Sequence, residues 1–229
     1  VEVFSTRVAN QSPVGSMPMV VSGLRFEPQV DVQARNLAEA QADVSIRGGH
    51  FENTGFKIGS LPLMDPQTGH YLTEVPVSPQ MLAPAEILTG ARNAADGFNA
   101  LAGTVAYGWR TINPRGELSA GFGDHGFNRQ SFYEATELPM GNRTQKIGAD
   151  VAWARSESDG SIPFGDHDFA QVSGRLQLRR DSTQTDLFAA YQTKFLGWPN
   201  LYTPFGFNET ESLRTVLTGV SHRVDHADG

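Results

Sequence analysis

Ala170-Gln171-Val172-Ser173-Gly174-Arg175-Leu176-Gln177-Leu178-Arg179 is a ten-residue run in which small or apolar residues hold every even position and polar or charged residues every odd one. Side chains of a β-strand point alternately to opposite faces, so this period of two makes the run a strand with both of its charges on one face. The same alternation continues outward. Ile147, Ala149, Val151 and Trp153 alternate with Lys146, Gly148, Asp150 and Ala152. Leu187, Ala189, Tyr191 and Phe195 oppose Asp186, Gln192 and Lys194, with Phe188 on the polar side, and Leu118, Ala120 and Phe122 form a shorter example. Segments 129–138 and 213–223 alternate poorly and are read as strands from their position. About six strands are thus expected after Asn113-Pro114-Arg115.

The connections alternate in length too. Pro139-Met140-Gly141-Asn142 and Asp181-Ser182-Thr183 are tight turns, whereas Ser156 to Asp168 and Leu196 to Glu211 are long, aromatic and rich in Gly and Pro. Short turns at one end and long loops at the other are the pattern of an outer-membrane β-barrel, with the short turns in the periplasm. A soluble β-sandwich also alternates, so the pattern alone leaves both open. Six strands cannot close a barrel. An open sheet in lipid would leave edge N–H and C=O groups unpaired at several kcal/mol each, so the sheet is expected to continue in further sequence or in other subunits.

Composition agrees with a β-rich chain. Of 229 residues, 39% are hydrophobic and 19% charged, and 24 Gly with 13 Pro favour turns over long helices. The absence of cysteine removes disulfides, thiolate metal sites and Cys nucleophiles together. A net charge of −7 without a basic cluster argues against a nucleic-acid partner. No run of about 18 apolar residues is present, so no transmembrane helix is expected. The chain opens Val1-Glu2-Val3-Phe4-Ser5-Thr6-Arg7 with no signal peptide, as a mature chain or one that begins inside a longer product.

Residues 1 to about 112 have a different grammar. Short strand-like runs such as Val44-Ser45-Ile46-Arg47 and Gly103-Thr104-Val105-Ala106-Tyr107 lie among Gly, Pro and Asn. A helix is expected at Leu37-Ala38-Glu39-Ala40-Gln41 after Asn36 as cap, and a second short one from Pro79 to Glu86. The half reads as a compact α+β domain. Within it, Ala42-Asp43-Val44-Ser45-Ile46-Arg47-Gly48-Gly49 resembles the plug signature of TonB-dependent outer-membrane receptors, a strand ending in Ile-Arg-Gly. About forty residues on, Ala85-Glu86-Ile87-Leu88-Thr89-Gly90-Ala91, followed by Asp96-Gly97-Phe98-Asn99-Ala100-Leu101-Ala102-Gly103-Thr104-Val105, resembles the family's second signature. Thr89 stands where the family usually has Arg, no Pro follows Gly90, and Lys57-Ile58-Gly59-Ser60-Leu61-Pro62 lacks the Asp of the usual hairpin.

The resemblance implies a plug domain at 1–112 and the amino-terminal portion of an outer-membrane β-barrel at 113–229, six strands of about 22. It implies a receptor for active uptake of a scarce ligand such as an iron chelate or cobalamin, with TonB, outer-membrane lipid and an extracellular small molecule as partners. Val1, Glu2, Val3, Phe4, Ser5 and Thr6 resemble the tail of the segment that TonB captures as an added strand. Arg47 matches the residue that projects from the family's plug toward carboxylates on the barrel wall, a candidate lock, and Gly48 beside it lets the backbone turn tightly. Asp65, Gln67, His70 and Tyr71 have turn chemistry suited to a plug apex facing ligand. Trp198, Tyr202, Phe205 and Phe207 cluster in the last long loop, where they can contact ligand, form an interfacial belt or pack the loop on itself; Trp153 and Tyr191 fit a belt better.

No enzyme is expected. There is no Gly-x-Ser-x-Gly elbow, phosphate loop or His-Glu-x-x-His helix. His50, His70 and His125 lie near turns, and the pairs in Asp166-His167-Asp168 and Asp225-His226 point to opposite faces if extended, so they read as solvated loop positions. No metal site or cofactor is implied. The alternatives from other classes are a soluble β-rich binding or structural domain and an oligomeric β-barrel pore.

Overall fold

A computed structural model describes residues 20–34, 42–65, 75–97, 100–141, 145–200 and 203–225. The chain divides into two compact units, residues 1–75 with 82–110 and residues 76–81 with 111–229.

Among the described residues the first unit holds six short strands. β1 (Val30–Ala34) and β2 (Ala42–Ile46) form an antiparallel pair. β3 (Thr54–Ile58), β4 (Leu61–Leu63), β5 (Glu86–Leu88) and β6 (Gly103–Tyr107) form a mixed sheet in the order β4-β3-β6-β5. β3 and β6 run parallel at its centre, which is why four of the five residues in each are buried. Val44, Ile46, Phe56, Ile58, Leu88 and Val105 supply the core. Gly59, at φ 57°, lets a two-residue turn join Ile58 to Leu61, the hairpin that the Lys57–Pro62 stretch had suggested.

One helical expectation changes. Pro79 to Glu86 makes only a 3-10 turn at Pro79–Met81, after which Leu82 bridges to Trp109 and Glu86 enters β5. Bridging and strand pairing give those backbone groups partners that a helix of one or two turns would leave unmade. Among the described residues an α-helix forms at α1 (Gly90–Asp96), within the second signature. Leu37 to Gln41 falls outside the described residues.

The second unit is a single antiparallel meander of six strands: β7 (Arg115–Phe122), β8 (Asn128–Pro139), β9 (Gln145–Ser158), β10 (His167–Arg180), β11 (Thr183–Pro199) and β12 (Asn208–Val224). The pairing of β10 keeps register without a bulge along both neighbours, from His167↔Leu196 to Arg180↔Thr183 and from His167↔Ser158 to Arg180↔Gln145. The strands outrun the alternating segments. Loops expected from Ser156 to Asp168 and from Leu196 to Glu211 shrink to 159–166 and 200–207, because both flanking strands keep pairing past the end of the apolar alternation. Trp198 therefore lies in β11, paired with Glu209, and not in the loop.

Candidate functional site

The Ile-Arg-Gly corner is built by backbone geometry. Arg47 and Gly48 both take positive φ, 52° and 72°, and the turn is held by Arg47 N–H to Gln29 O at 2.8 Å and Gly49 N–H to Ile46 O at 2.9 Å. A side chain on Gly49 would lie 2.7 Å from Ala102 Cβ, and one on Gly103 would meet Leu88 O at 2.8 Å and Ile46 Cδ1 at 3.0 Å. The two sequence signatures thus touch through glycines, in places where even a methyl group does not fit.

Asn93, buried on α1, ties the second signature together. Its amide donates to Ala100 O at 2.7 Å, and its Oδ1 accepts from Thr104 Oγ1 at 2.6 Å. Tyr107 donates to Val20 O at 3.0 Å, and burial pushes its phenol above the usual range, so it stays a donor. Arg47 itself is exposed, with Nε donating to Gln29 Oε1 at 2.9 Å. Asp65 is half-buried; Gln67, His70, Tyr71, Tyr202 and the segment from Val1 to Thr6 lie outside the described residues.

The sheet of the second unit reverses the arrangement of a water-soluble protein. On one face the polar and charged side chains are buried: Gln171, Ser173, Arg175 and Gln177 on β10, and Gln184, Asp186, Gln192 and Lys194 on β11. On the other face Val172, Leu176, Leu178 and Leu187 are exposed, Leu176 by 50% and Leu187 by 53%. Register carries the exposed apolar face across all six strands, whereas the buried polar side chains lie on β8 to β11 with Ser221 on β12, and Ala152, Phe169, Phe188, Ala190 and Leu196 are buried among them. One row of the exposed face runs Leu118, Phe132, Trp153, Val172, Tyr191 and Val216, which gathers three aromatics at one level. An apolar face with a row of aromatics is what a sheet presents to lipid.

The buried face holds a continuous network. Arg175, its side chain wholly buried, lies 2.7 Å from Asp150 Oδ2 and 3.2 Å from Asp186 Oδ1. Tyr133 donates to Asp150, Gln177 and Gln184 donate to Asp186, and Gln177 Oε1 accepts the Ile112 N–H at 2.8 Å. Arg175 thereby links β9, β10 and β11 by charge-assisted bonds, which is how a charge can be buried at all.

Toward the ends of the longer loops, His167 departs from the solvated loop position the sequence suggested. It is buried as the first residue of β10, its Nε2 2.8 Å from Ser156 Oγ, while its neighbour Asp168 faces outward. Alternation did separate the two, but the strand began earlier than its apolar residues do. Phe205 and Phe207 stand exposed at the tip of the last loop in an edge-to-face pair, ring centres 6.4 Å apart, on a turn closed by Gly206 N–H to Asn200 Oδ1. Among the described residues no group of three or more His, Asp or Glu is placed to hold a metal, and no helix is long and apolar enough to cross a membrane.

No family model matches the chain, and no curated protein matches it in sequence. Solved structures do match. The ferric yersiniabactin uptake receptor FyuA from Yersinia pestis superposes with a TM-score of 0.61 at 14% identity, over 91% of this chain and 36% of that one. FpvA of P. aeruginosa, bound to a ferric pyoverdine, gives 0.60 at 15% over 88% and 29%, and the copper transporter OprC gives 0.56 at 12% over 92% and 41%. These are TonB-dependent receptors. The chain has the fold of part of such a receptor. It spans less than half the length of each, and likeness at this identity concerns the fold alone.

Proposed function

We propose that the chain is a portion of a TonB-dependent outer-membrane transporter for active uptake of a scarce ligand, with residues 1–112 as plug and 113–229 as part of the barrel. The observation that carries this reading is the inverted sheet: charges and amides buried, aliphatic residues and an aromatic row exposed. A β-sandwich in water would bury the apolar face, so the exposed apolar face supports a membrane wall over a sandwich. The matched structures are a copper transporter, a receptor bound to ferric pyoverdine and a ferric yersiniabactin uptake receptor, which favours a metal chelate over cobalamin as the ligand class.

In this reading ligand meets the plug apex near Asp65, Gln67, His70 and Tyr71, the end of β11 at Trp198 and the following loop with Tyr202. TonB adds the segment from Val1 to Thr6 as a strand, main-chain bonds giving affinity with little demand on sequence. The pull then reaches the strands behind it. Arg47, presented by the tight corner at Gly48, is the candidate lock between plug and wall. The test uses cells expressing the receptor. Removing Val1–Thr6 abolishes energised uptake of ferric chelate and leaves its binding at the surface intact, whereas Arg47→Ala lowers uptake and admits large antibiotics, with Arg47→Lys between. Uptake that survives the removal of Val1–Thr6 overturns the energised mechanism.

A further inference from the structure

We propose that Glu134, a carboxylate on the apolar face of β8, is the contact point for a further strand that pairs with the outer edge of β7 and carries a lysine or arginine beside Gly116. The proposal rests on the membrane reading of that face. Two polar rows bound it. Register puts Gln130, Arg155 and Arg214 at one level beyond the aromatics, and Gln145 with Arg180 at another near the tight turns. Between those levels Glu134 is the only carboxylate among the described residues of the face. It lies four residues along β8 from Gln130, about 13 Å of strand and about 10 Å of depth once the strands tilt as they do in a membrane barrel. A carboxylate at that depth meets hydrocarbon at a cost unless another group receives it, so it marks a contact.

Nothing else described in the chain receives it. Glu134 is exposed and makes no ion pair or hydrogen bond among the described residues, whereas Glu137, on the opposite face, is bound by Lys146 and Arg179. Its own row holds Gly116, Val151, Gly174, Ala189 and Thr218, none of them charged. Arg115, next to Gly116, is turned to the other face and lies over the Tyr133 ring. The carboxylate leans toward β7: a Cβ on Gly116 would stand 2.6 Å from Glu134 Oε2. Because Gly116 has no side chain, that oxygen lies over the last strand of the sheet, and among the described residues no strand follows β7. A strand added there runs about 4.8 Å further out, so its apolar-face residue in the Gly116 row projects beside the carboxylate. Charge selects a cation at that place. Lysine or arginine would be as misplaced in lipid as Glu134 is, and pairing satisfies both at once. The pair also fixes register, since a slip of one residue turns the cation to the opposite face. A second copy of this chain does not fit, because among its described residues no Lys or Arg lies between the two polar rows of the apolar face.

The experiment reads the sign of one substitution in two settings: the receptor extracted from the membranes of cells expressing it, and this chain alone in micelles. Glu134→Leu removes a charge from an apolar face. In the chain alone, where no further strand supplies a cation, it is expected to leave thermal unfolding unchanged or to raise its midpoint. In the receptor it strands the cation, so the midpoint at which the folded band is lost on heating should fall, less for Glu134→Gln and most for Glu134→Lys, which sets two like charges together. A receptor that Glu134→Leu stabilises or leaves unchanged overturns the contact, because that is how a carboxylate facing lipid behaves. Second-site reversion of Glu134→Lys supplies an independent reading. Revertants are expected to carry Asp or Glu on the strand bonded to β7, opposite Gly116, and acidic revertants confined to other strands overturn the assignment. The membrane reading is checked separately by quenching of tryptophan fluorescence with brominated acyl chains, a signal that Trp153→Phe should largely remove. Quenching together with a stabilised Glu134→Leu receptor sinks the contact alone; absent quenching sinks the reading beneath it.

Discussion

Gly49 shows how much a single missing methyl group decides. Its place in the Ile-Arg-Gly run was visible in the sequence, but the reason for it was not, because the neighbour it makes room for is Ala102, more than fifty residues away. Gly49→Ala forces the new Cβ against Ala102 Cβ at 2.7 Å and near the Ile46 carbonyl at 3.1 Å, overpacking that costs about 1–3 kcal/mol. Ala102→Gly on top of it removes the first clash and leaves the second, so recovery should be partial. Hydrogen exchange at the Val44 and Val105 amides in the two single variants and the double variant measures that coupling; additive effects would mean that the corner and the second signature do not press on each other. His167 is the opposite case. The acidic residues on either side of it suggested a solvated turn, and only the extension of β10 turns it inward onto Ser156.

At the level of elements, strands were legible where the two faces differ in polarity and illegible where they do not. β10 reads cleanly because Gln171, Ser173, Arg175 and Gln177 share the buried face. β8 reads poorly because Tyr133 is buried while Glu134 is exposed, and β12 because Leu217 and Gly219 share the face of Thr215 and Ser221. α1 was missed for a different reason. It is short, flanked by Gly90 and Gly97, and held by the side chain of Asn93 more than by propensity. Two substitutions test the assigned faces of β10. Leu176→Arg places a charge amid Ala149, Leu187 and Val220 on the exposed face and should cost about 2–4 kcal/mol in folding titrations into lipid bilayers. Arg175→Met leaves Asp150 and Asp186 buried without their cation and should cost about 3–5 kcal/mol by urea unfolding in detergent, with Asp150→Asn and Asp186→Asn restoring part of the loss. A harmless Leu176→Arg would reverse the faces.

The whole molecule asks for two solvents at once. The first unit keeps Val44, Ile46, Phe56, Ile58 and Val105 away from solvent, as a water-soluble α+β core does. The second leaves Leu118, Leu176, Leu187, Val216 and Val220 at least half exposed on one continuous face, an apolar area larger than a monomer in water tolerates. Among the described residues its sheet also ends in β7 and β12, which have no strand beyond them and invite another. Detergent satisfies the face but offers an edge little beyond interfacial water. The purified chain should therefore aggregate through its second unit in aqueous buffer, and in micelles it should disperse with a β-rich circular dichroism spectrum while retaining some edge-to-edge association at high concentration. Lys substitutions at the outward positions Leu118 on β7 and Val216 on β12 should suppress that residual association in micelles, because a charge on an edge strand disfavours pairing, without making the chain soluble in water. Sedimentation in the two media separates the contributions: a monodisperse monomer in plain buffer would show that the apolar face is covered by the chain itself, and a membrane wall would then be the wrong account of the sheet.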